Sequence, residues 1–145
     1  MSYPAVVFPD AEQVVVGFLD DALAARSEDA TVVTMVPNPR PVRMVLVRRL
    51  GGPRLNLVAD DAQIGVECWE ASPAGAHDLA QLARALIHTM RGQTIGGVPV
   101  YRVTELAGPA DLPDPLSTHP RYVFTVQIAM RGTQLPPAAT PEEGS

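Results

Sequence analysis

Four aspartates come closer than any other side chains of this sequence to forming a catalytic or metal-binding set. Asp60 and Asp61 end the tip of a predicted hairpin, and Asp111 and Asp114 lie in a proline-rich loop. Loop carboxylates could hold a divalent cation or act as an acid–base pair. They more often cap turns and keep loops solvated, so the residues themselves assign no catalytic residue and no metal site.

The remaining residues that could carry chemistry are isolated from one another. His77 and His88 lie eleven residues apart on one predicted helix, about 16 Å along its axis, which is too far for a shared metal. Cys68 is predicted to face the core as a small apolar side chain. The glycine pairs at 51–52 and 96–97 match no phosphate-binding motif. We therefore expect no enzyme and no cofactor.

Arginine supplies all the basic charge apart from histidine, because the chain has no lysine, and five arginines lie between residues 40 and 54. Its planar guanidinium suits ion pairs at protein interfaces. Pairing within the chain is equally available, since Glu67 and Glu70 lie on the facing strand. No aromatic residues interleave the cluster and the net charge is -5, which argues against a nucleic-acid surface.

These charged residues are positioned by a long β-hairpin, with arms at 42–50 and 62–71 and an eleven-residue tip marked by Gly and Pro. We expect Met44 to face Cys68 and Leu46 to face Val66 in one apolar stripe. The stripe consists of Val42, Met44, Leu46, Leu50, Ile64, Val66 and Cys68. The opposite face mixes apolar and charged residues: Arg43, Val45, Val47, Arg49, Gln63, Gly65, Glu67 and Trp69. A solvated face would be more polar, so we expect either the chain's own helices or a neighbouring subunit to cover it.

The other elements follow from apolar spacing and cap residues. One helix is predicted from an Asp10 N-cap to about Arg26, and a second from Ser72-Pro73 to Arg91. Strands are predicted at 31–36, 100–107 and 122–130. The last strand should place five large side chains on the core: Tyr122, Phe124, Val126, Ile128 and Met130.

The order of these elements predicts an α+β fold, with a mostly antiparallel sheet of about five strands, two helices packed on it, and the order α-β-β-β-α-β-β. We expect one domain at 1–132 and a disordered tail at 133–145. A single cysteine fits a reducing compartment. The start MSYPAVVFPD lacks the pattern of a signal peptide, and no segment has the length and apolarity of a membrane span, so we expect a soluble intracellular protein.

Three segments carry a family resemblance: VPNPRPVRMVLVRRLGGPR, AQIGVECWEAS before a helix, and YRVTELAGPADLPDPLSTHPRYVFTVQIAMRG. In order and length they resemble the tail terminator proteins of long-tailed actinobacterial phages, over roughly residues 3–132. The resemblance implies a homo-hexameric ring that caps the head-proximal end of the tail tube, stops its polymerisation and provides the head-joining surface. It implies the tail tube protein and a head–tail connector as partners, and DNA that passes through without specific binding. The expected location is the virion tail, after assembly in the host cytoplasm.

The family transfers no catalytic residues, so the contact residues rest on the hairpin itself. We expect seven side chains at subunit or tail-tube contacts: Arg43, Arg48, Arg49, Arg54, Asp60, Asp61 and Glu67. The alternatives are another phage connector, head-completion or tail tube protein, a small metal-dependent enzyme that uses the loop aspartates, and an adaptor domain that binds a host protein.

Overall fold

The computed structural model describes residues 3–139, in which two helices and eight strands follow one another along the chain. Their bounds are β1 Val6–Val7, α1 Ala11–Ala24, β2 Thr31–Val33, β3 Met44–Gly51, β4 Ala59–Trp69, α2 Pro73–His88, β5 Thr94–Ile95, β6 Val98–Asp111, β7 Arg121–Arg131 and β8 Thr133–Gln134. Strands β2-β3-β4-β7-β6-β5 form one sheet in that order, and β1 pairs with β8 in a separate ribbon. Only the β2–β3 pair is parallel among the strands of residues 3–139. The predicted α+β fold with a mostly antiparallel sheet is confirmed.

Both helices begin at the residues that the sequence predicts. The Asp10 carboxylate accepts a hydrogen bond from the Gln13 N–H at 3.2 Å, and the Ser72 hydroxyl accepts one from the Gly75 N–H at 3.0 Å. These bonds satisfy N–H groups that a helix leaves unpaired at its first turn. The predicted ends near Arg26 and Arg91 are two and three residues too long.

The main core lies between the helices and one face of the sheet. The prediction for the last strand is confirmed for all five side chains, of which four are fully buried and Tyr122 packs against the cluster at its margin. The helices contribute Val15, Leu19, Leu79 and Ile87 to the same cluster. Burial of each large apolar side chain is worth about 1.5–3 kcal/mol, so this face holds the domain together. We call it the helix-covered face.

The predicted register of the hairpin is wrong by one residue. Cys68 pairs with Val45 rather than Met44, and Val66 pairs with Val47 rather than Leu46. A shift of one residue moves every side chain of a strand to the other face, so Val45 and Val47, not Met44 and Leu46, face the helices. The faces predicted for β4 are unaffected. Because β3 begins with four apolar residues in a row, alternation could not distinguish its two faces.

The apolar side chains on both sides of β3 are buried within a single chain. Met44 and Leu46 form a second small cluster with Trp69 and Val33 on the face that carries no helix, and all of Met44–Val47 is buried. The Arg40 guanidinium lies 4.6 Å from the centroid of the Trp69 ring, which places the β2–β3 connection over this corner. A neighbouring subunit is not needed to cover this stretch. We call the sheet surface opposite the helices the helix-free face.

Two predicted boundaries are corrected by strand pairing. Strand β4 begins at Ala59, so Asp60 and Asp61 lie inside a strand rather than at the hairpin tip. At the C-terminal end, Thr133 and Gln134 pair with Val7 and Val6, so the ordered chain continues past the expected boundary at 132. The part of the predicted tail at 140–145 lies outside the described residues.

Candidate functional site

All seven predicted contact residues have partners within the chain, and they divide between the two sides of the sheet. Arg43, Arg49 and Asp60 belong to the side that carries the helices, while Arg48, Asp61 and Glu67 belong to the helix-free face. Arg54 lies apart from both groups, in the connection between β3 and β4. The sequence therefore identified charged residues that the fold does not bring into one site.

On the helix side, Arg49 joins the end of β3 to the start of β4. Its Nη1 donates to Asp60 Oδ2 at 2.6 Å, and its Nε and Nη2 donate to the carbonyl oxygens of Gly51 and Gly52. Its backbone N–H donates to Glu12 Oε2 at 2.7 Å, which ties the first turn of α1 to the same point. The bond to Asp60 raises the pKa of Arg49 above its usual value. Each nitrogen of this guanidinium group donates to its own chain, which is the arrangement of a structural ion pair.

Arg43 has a similar role at the opposite end of β3. Its guanidinium contacts Glu28 Oε2 and Glu70 Oε2, each at 2.9 Å, and donates to the carbonyl oxygen of Asp29. These bonds hold the connection after α1 against the end of β4. Arg43 is thereby engaged by two carboxylates of its own subunit.

The helix-free face carries a line of charges across β3, β4 and β7. Glu67 lies between two arginines: it accepts a hydrogen bond from Arg121 at 2.7 Å, and its Oε2 forms an ion pair with Arg48 Nε at 3.3 Å. The Glu67 side chain is only 14% exposed, while that of Arg48 is 56% exposed. The Glu67 carboxylate is therefore covered, and the Arg48 guanidinium is the group exposed to solvent.

A second pair repeats this layering across β4 and β6. Arg102 Nη2 lies 3.1 Å from Asp61 Oδ2, and the small side chain of Ala129 on the strand between them leaves room for the bridge. The Arg102 side chain is 51% exposed and that of Asp61 10%. Asp61 Oδ1 is buried and makes no hydrogen bond with the described residues.

Three further arginines complete the charge on this face. Arg40 and Arg121 lie over the Trp69 ring, at 4.6 and 5.4 Å from its centroid, in cation–π geometry. Arg131 is exposed, and its Nη1 lies 3.4 Å from the Tyr101 hydroxyl. We call the whole set the arginine face: Arg40, Arg48, Arg102, Arg121 and Arg131. Its acidic members, Asp61 and Glu67, lie beneath the arginines.

Most of the arginine face escapes prediction from the hairpin. Arg121 and Arg131 flank the apolar run of β7 and alternate with it, so the period of the strand would have placed them on the polar side. Arg102 gives no such signal, because β6 changes register between Val100 and Arg102. The face of the sheet on which Arg102 lies is set by that irregularity and not by the alternation of side chains along the strand.

The hairpin connection carries Arg54 and several exposed apolar side chains. The Arg54 guanidinium lies 4.8 Å from the centroid of the Phe8 ring, and its backbone forms a bridge with Asp60. Leu55, Leu57 and Val58 remain between 40% and 45% exposed. This segment keeps the exposed apolar character expected of a contact element.

The four aspartates do not meet in space. Asp60 and Asp61 are adjacent in a strand and so point to opposite faces. Their pairing partners on β7 lie eight and seven residues from Tyr122, which is the partner of Asp111. Asp60 and Asp61 are therefore about 25 Å from Asp111 along the sheet. Asp114 accepts a bond from the Ser117 hydroxyl, which lowers the pKa of that carboxyl. Within residues 3–139, no group of three or more His, Cys, Asp or Glu side chains could hold a metal ion.

The histidines and the cysteine also remain separate. His77 meets the Tyr122 ring edge-on at 5.3 Å between centroids, in the first turns of α2, and His88 ends that helix. Cys68 is fully buried, and burial raises the pKa of its thiol. A buried neutral thiol is a poor nucleophile, which fits its predicted place in the core.

A groove of about 700 Å³ runs along the outer side of α1, between this helix and the β5 turn. Val14, Phe18 and Ile95 form its apolar lining, and Asp10 and Asp21 stand at its margin. A methyl group in place of the Gly17 hydrogen would meet nothing within 4 Å, so the groove is open at that point. It faces away from the arginine face, because α1 lies on the other side of the sheet.

A scan against protein-family models finds no matching family, and a search of curated proteins finds no significant match. Neither helix among the described residues is long and apolar enough to cross a membrane. The function proposed below therefore rests on the sequence resemblance and on the surfaces of the molecule.

Proposed function

We propose that this chain is a structural subunit of a long-tailed phage, a tail terminator that assembles as a homo-hexameric ring. The ring binds the last ring of tube protein on one side and lacks the polymerising surface of the tube on the other. It thereby stops tail growth and presents a surface to the head–tail connector. The DNA passes through the ring without specific contacts, in the virion that is assembled in the host cytoplasm.

The observation that carries the proposal is the one-sided cover of the sheet. Helices α1 and α2 both pack on the helix-covered face, while the other face is packed by no helix of residues 3–139 and is covered by the β2–β3 connection at its Trp69 corner. An antiparallel sheet can leave one face to solvent, and in an assembly a neighbouring subunit can cover that face. The arrangement therefore leaves one sheet face available to a neighbouring subunit.

The sheet edge offers a less suitable contact than the face. Beyond Val100, the outer edge of β6 pairs with no strand among residues 3–139. Register irregularities at Tyr101, Leu106 and Gly108–Pro109 interrupt it, and Pro109 has no N–H to donate. Such features prevent edge-to-edge pairing in natural sheets, which favours association through the face.

The predicted contact residues have different roles in this proposal. Arg48, Asp61 and Glu67 lie on the uncovered face and stay as proposed subunit-boundary residues. The connection from Arg54 to Val58 stays as the proposed tail-tube contact. We assign Arg43, Arg49 and Asp60 to stabilising the subunit, because their charges are engaged within the chain.

Electron microscopy of particles assembled without this protein tests the function. A terminator predicts overlong tails without heads, because polymerisation continues and the joining surface is missing. Tails of normal length that fail to join heads would contradict end-capping and favour a connector or head-completion protein. Loss of tails altogether would favour a tube protein.

The mass in solution, measured alone and with tube protein, tests the ring. A hexamer has six times the 15.4 kDa of one chain. A monomer that joins into rings on the tube end is compatible with the proposal. A monomer that ignores the tube protein would overturn it and would favour an adaptor domain.

A further inference from the structure

The molecule carries two surfaces of opposite charge on opposite sides of one sheet. The arginine face presents five arginines above two covered carboxylates. Helix α1, on the other side, carries Glu12, Asp20 and Asp21 and no basic residue. A chain with a net charge of -5 therefore has a positive face, because most of its acidic residues lie elsewhere.

The layering of the arginine face determines which charge a partner would meet. The Asp61 and Glu67 side chains are 10% and 14% exposed, while Arg102 and Arg48 above them are about half exposed. The carboxylates hold the guanidinium groups in place without reaching the surface. Fixed, partly desolvated arginines are suited to binding carboxylates bidentately.

The α1 groove supplies matching chemistry. Asp21 and Asp10 stand at its margin and are exposed, with Asp20 next to them on the same helix. Val14 and Phe18 are half-buried in its floor. An apolar floor with acidic margins can receive an exposed side chain such as Tyr101, whose hydroxyl lies 3.4 Å from Arg131 Nη1.

We infer that the arginine face of one subunit docks on the acidic α1 groove of a second copy of this chain. The two surfaces lie on opposite sides of the sheet, so the contact is heterologous, and repetition closes a ring when the rotation between copies permits. The inference rests on the proposed function and names the contact that builds its ring. It also places the arginines between subunits, away from the DNA channel.

A second copy fits the arginine face better than nucleic acid does. Arg40 and Arg121 lie over the Trp69 ring, and Arg48, Arg102 and Arg121 contact carboxylates of their own chain, so the net positive charge of the face is smaller than its five arginines suggest. Non-specific affinity for DNA needs several phosphate contacts and falls with net negative charge on the protein. The acidic groove, in contrast, is present on every copy at equal concentration.

Charge reversal and exchange test the contact by sedimentation velocity at low and high salt. Arg131→Glu and Asp21→Arg should each weaken self-association about tenfold or more, because each sets like charges against each other. The double variant should associate more strongly than either single variant, because the two surfaces again carry opposite charges at the changed positions. Both residues are exposed, so the fold should tolerate the changes, and circular dichroism of each variant verifies this.

Arg54→Glu is the matched control, because Arg54 is exposed, lies apart from the arginine face and the α1 groove, and gives the same change in net charge. It should associate like the wild type. Equal assembly of Arg131→Glu and wild type, or a double variant no better than the single variants, would overturn the inference. Wild-type chains that stay monomeric up to roughly 1 mM would also overturn it.

Two further outcomes distinguish this contact from a nucleic-acid surface and from a ring built through a different interface. Binding of a duplex DNA oligomer that Arg131→Glu abolishes would favour a nucleic-acid surface and contradict the proposed contact. Rings that assemble normally in every variant and still cap tails would contradict only the contact and leave the terminator function intact.

Discussion

The two faces of this sheet are built from alternate residues of the same strands, yet they are held together differently. On the helix-covered face, Phe124, Val126 and Ile128 are fully buried against two helices. On the helix-free face, their neighbours Val123, Thr125 and Gln127 are only partly buried, beside a layer of ion pairs. The comparison shows that one face supplies stability through close packing, while the other keeps ordered charge available at the surface.

The largest expected difference between the faces comes from neighbouring residues of β7. Phe124→Ala should lower the free energy of unfolding by about 3–5 kcal/mol, because it removes a fully buried ring and leaves a cavity. Thr125→Ala, one residue along on the other face, should cost less than about 1 kcal/mol. Urea denaturation of both variants measures the difference, and similar losses would contradict the division of roles.

Adjacent arginines of β3 provide the next comparison. Arg49→Ala removes the side-chain partner of Asp60, whose side chain is 7% exposed, and should cost about 2–3 kcal/mol. Arg48→Ala leaves Glu67 bonded to Arg121 and should cost less than about 1 kcal/mol. Denaturant midpoints of the two variants check this order. A larger loss for Arg48→Ala would mean that the surface layer stabilises the fold.

The Trp69 corner gives a smaller effect with its own spectroscopic signal. Arg40→Ala removes one of two guanidinium groups from the ring and should cost about 0.5–1 kcal/mol. Trp69 is the single tryptophan of the chain, so its fluorescence emission should shift to longer wavelength as water reaches it. Arg54→Ala, which removes a guanidinium from Phe8 instead, is the control and should leave the emission unchanged.

The smallest expected effect is a pH dependence at the margin of the helix-covered face. Two hydrogen bonds from Arg84, at 2.5 and 2.7 Å, lower the pKa of Glu105 below its usual value. The stabilisation is therefore complete above the unfolded-state pKa of about 4.5 and is lost as the pH falls through the lower pKa of the folded state. Glu105→Gln should melt slightly below the wild type at pH 7, and the difference should disappear at low pH. A difference that persists in acid would point to packing rather than charge.

Local patterns predicted much of the fold because their causes are local. The Asp10 and Ser72 caps act within three residues, and the alternation of Tyr122 to Met130 is clear because polar residues separate the large ones. The predicted β3 register is wrong because Met44–Val47 is apolar on both sides, so its pattern fits either face. The predicted position of Asp60 and Asp61 at the hairpin tip is wrong because strand β4 starts earlier than its apolar run.

The arginine face was harder to predict than the fold, because its ion pairs join residues that are far apart in the sequence. Arg48 and Glu67 could be paired from the hairpin, but Arg121 joins them only because β7 lies beside β4. Arg102 reaches Asp61 because β6 changes register near Tyr101 and Ala129 leaves room between them. Neither condition can be inferred from spacing along the chain.

The sequence by itself determined the helix starts, the apolar face of β7 and the α+β class, since each depends on side-chain periods and caps within one segment. Only the tertiary structure decided the hairpin register, the partners of the seven charged residues and the arginine face. The physical reason is that strand order and register arise from packing across the whole sheet, where residues far apart in the chain compete for the same neighbours.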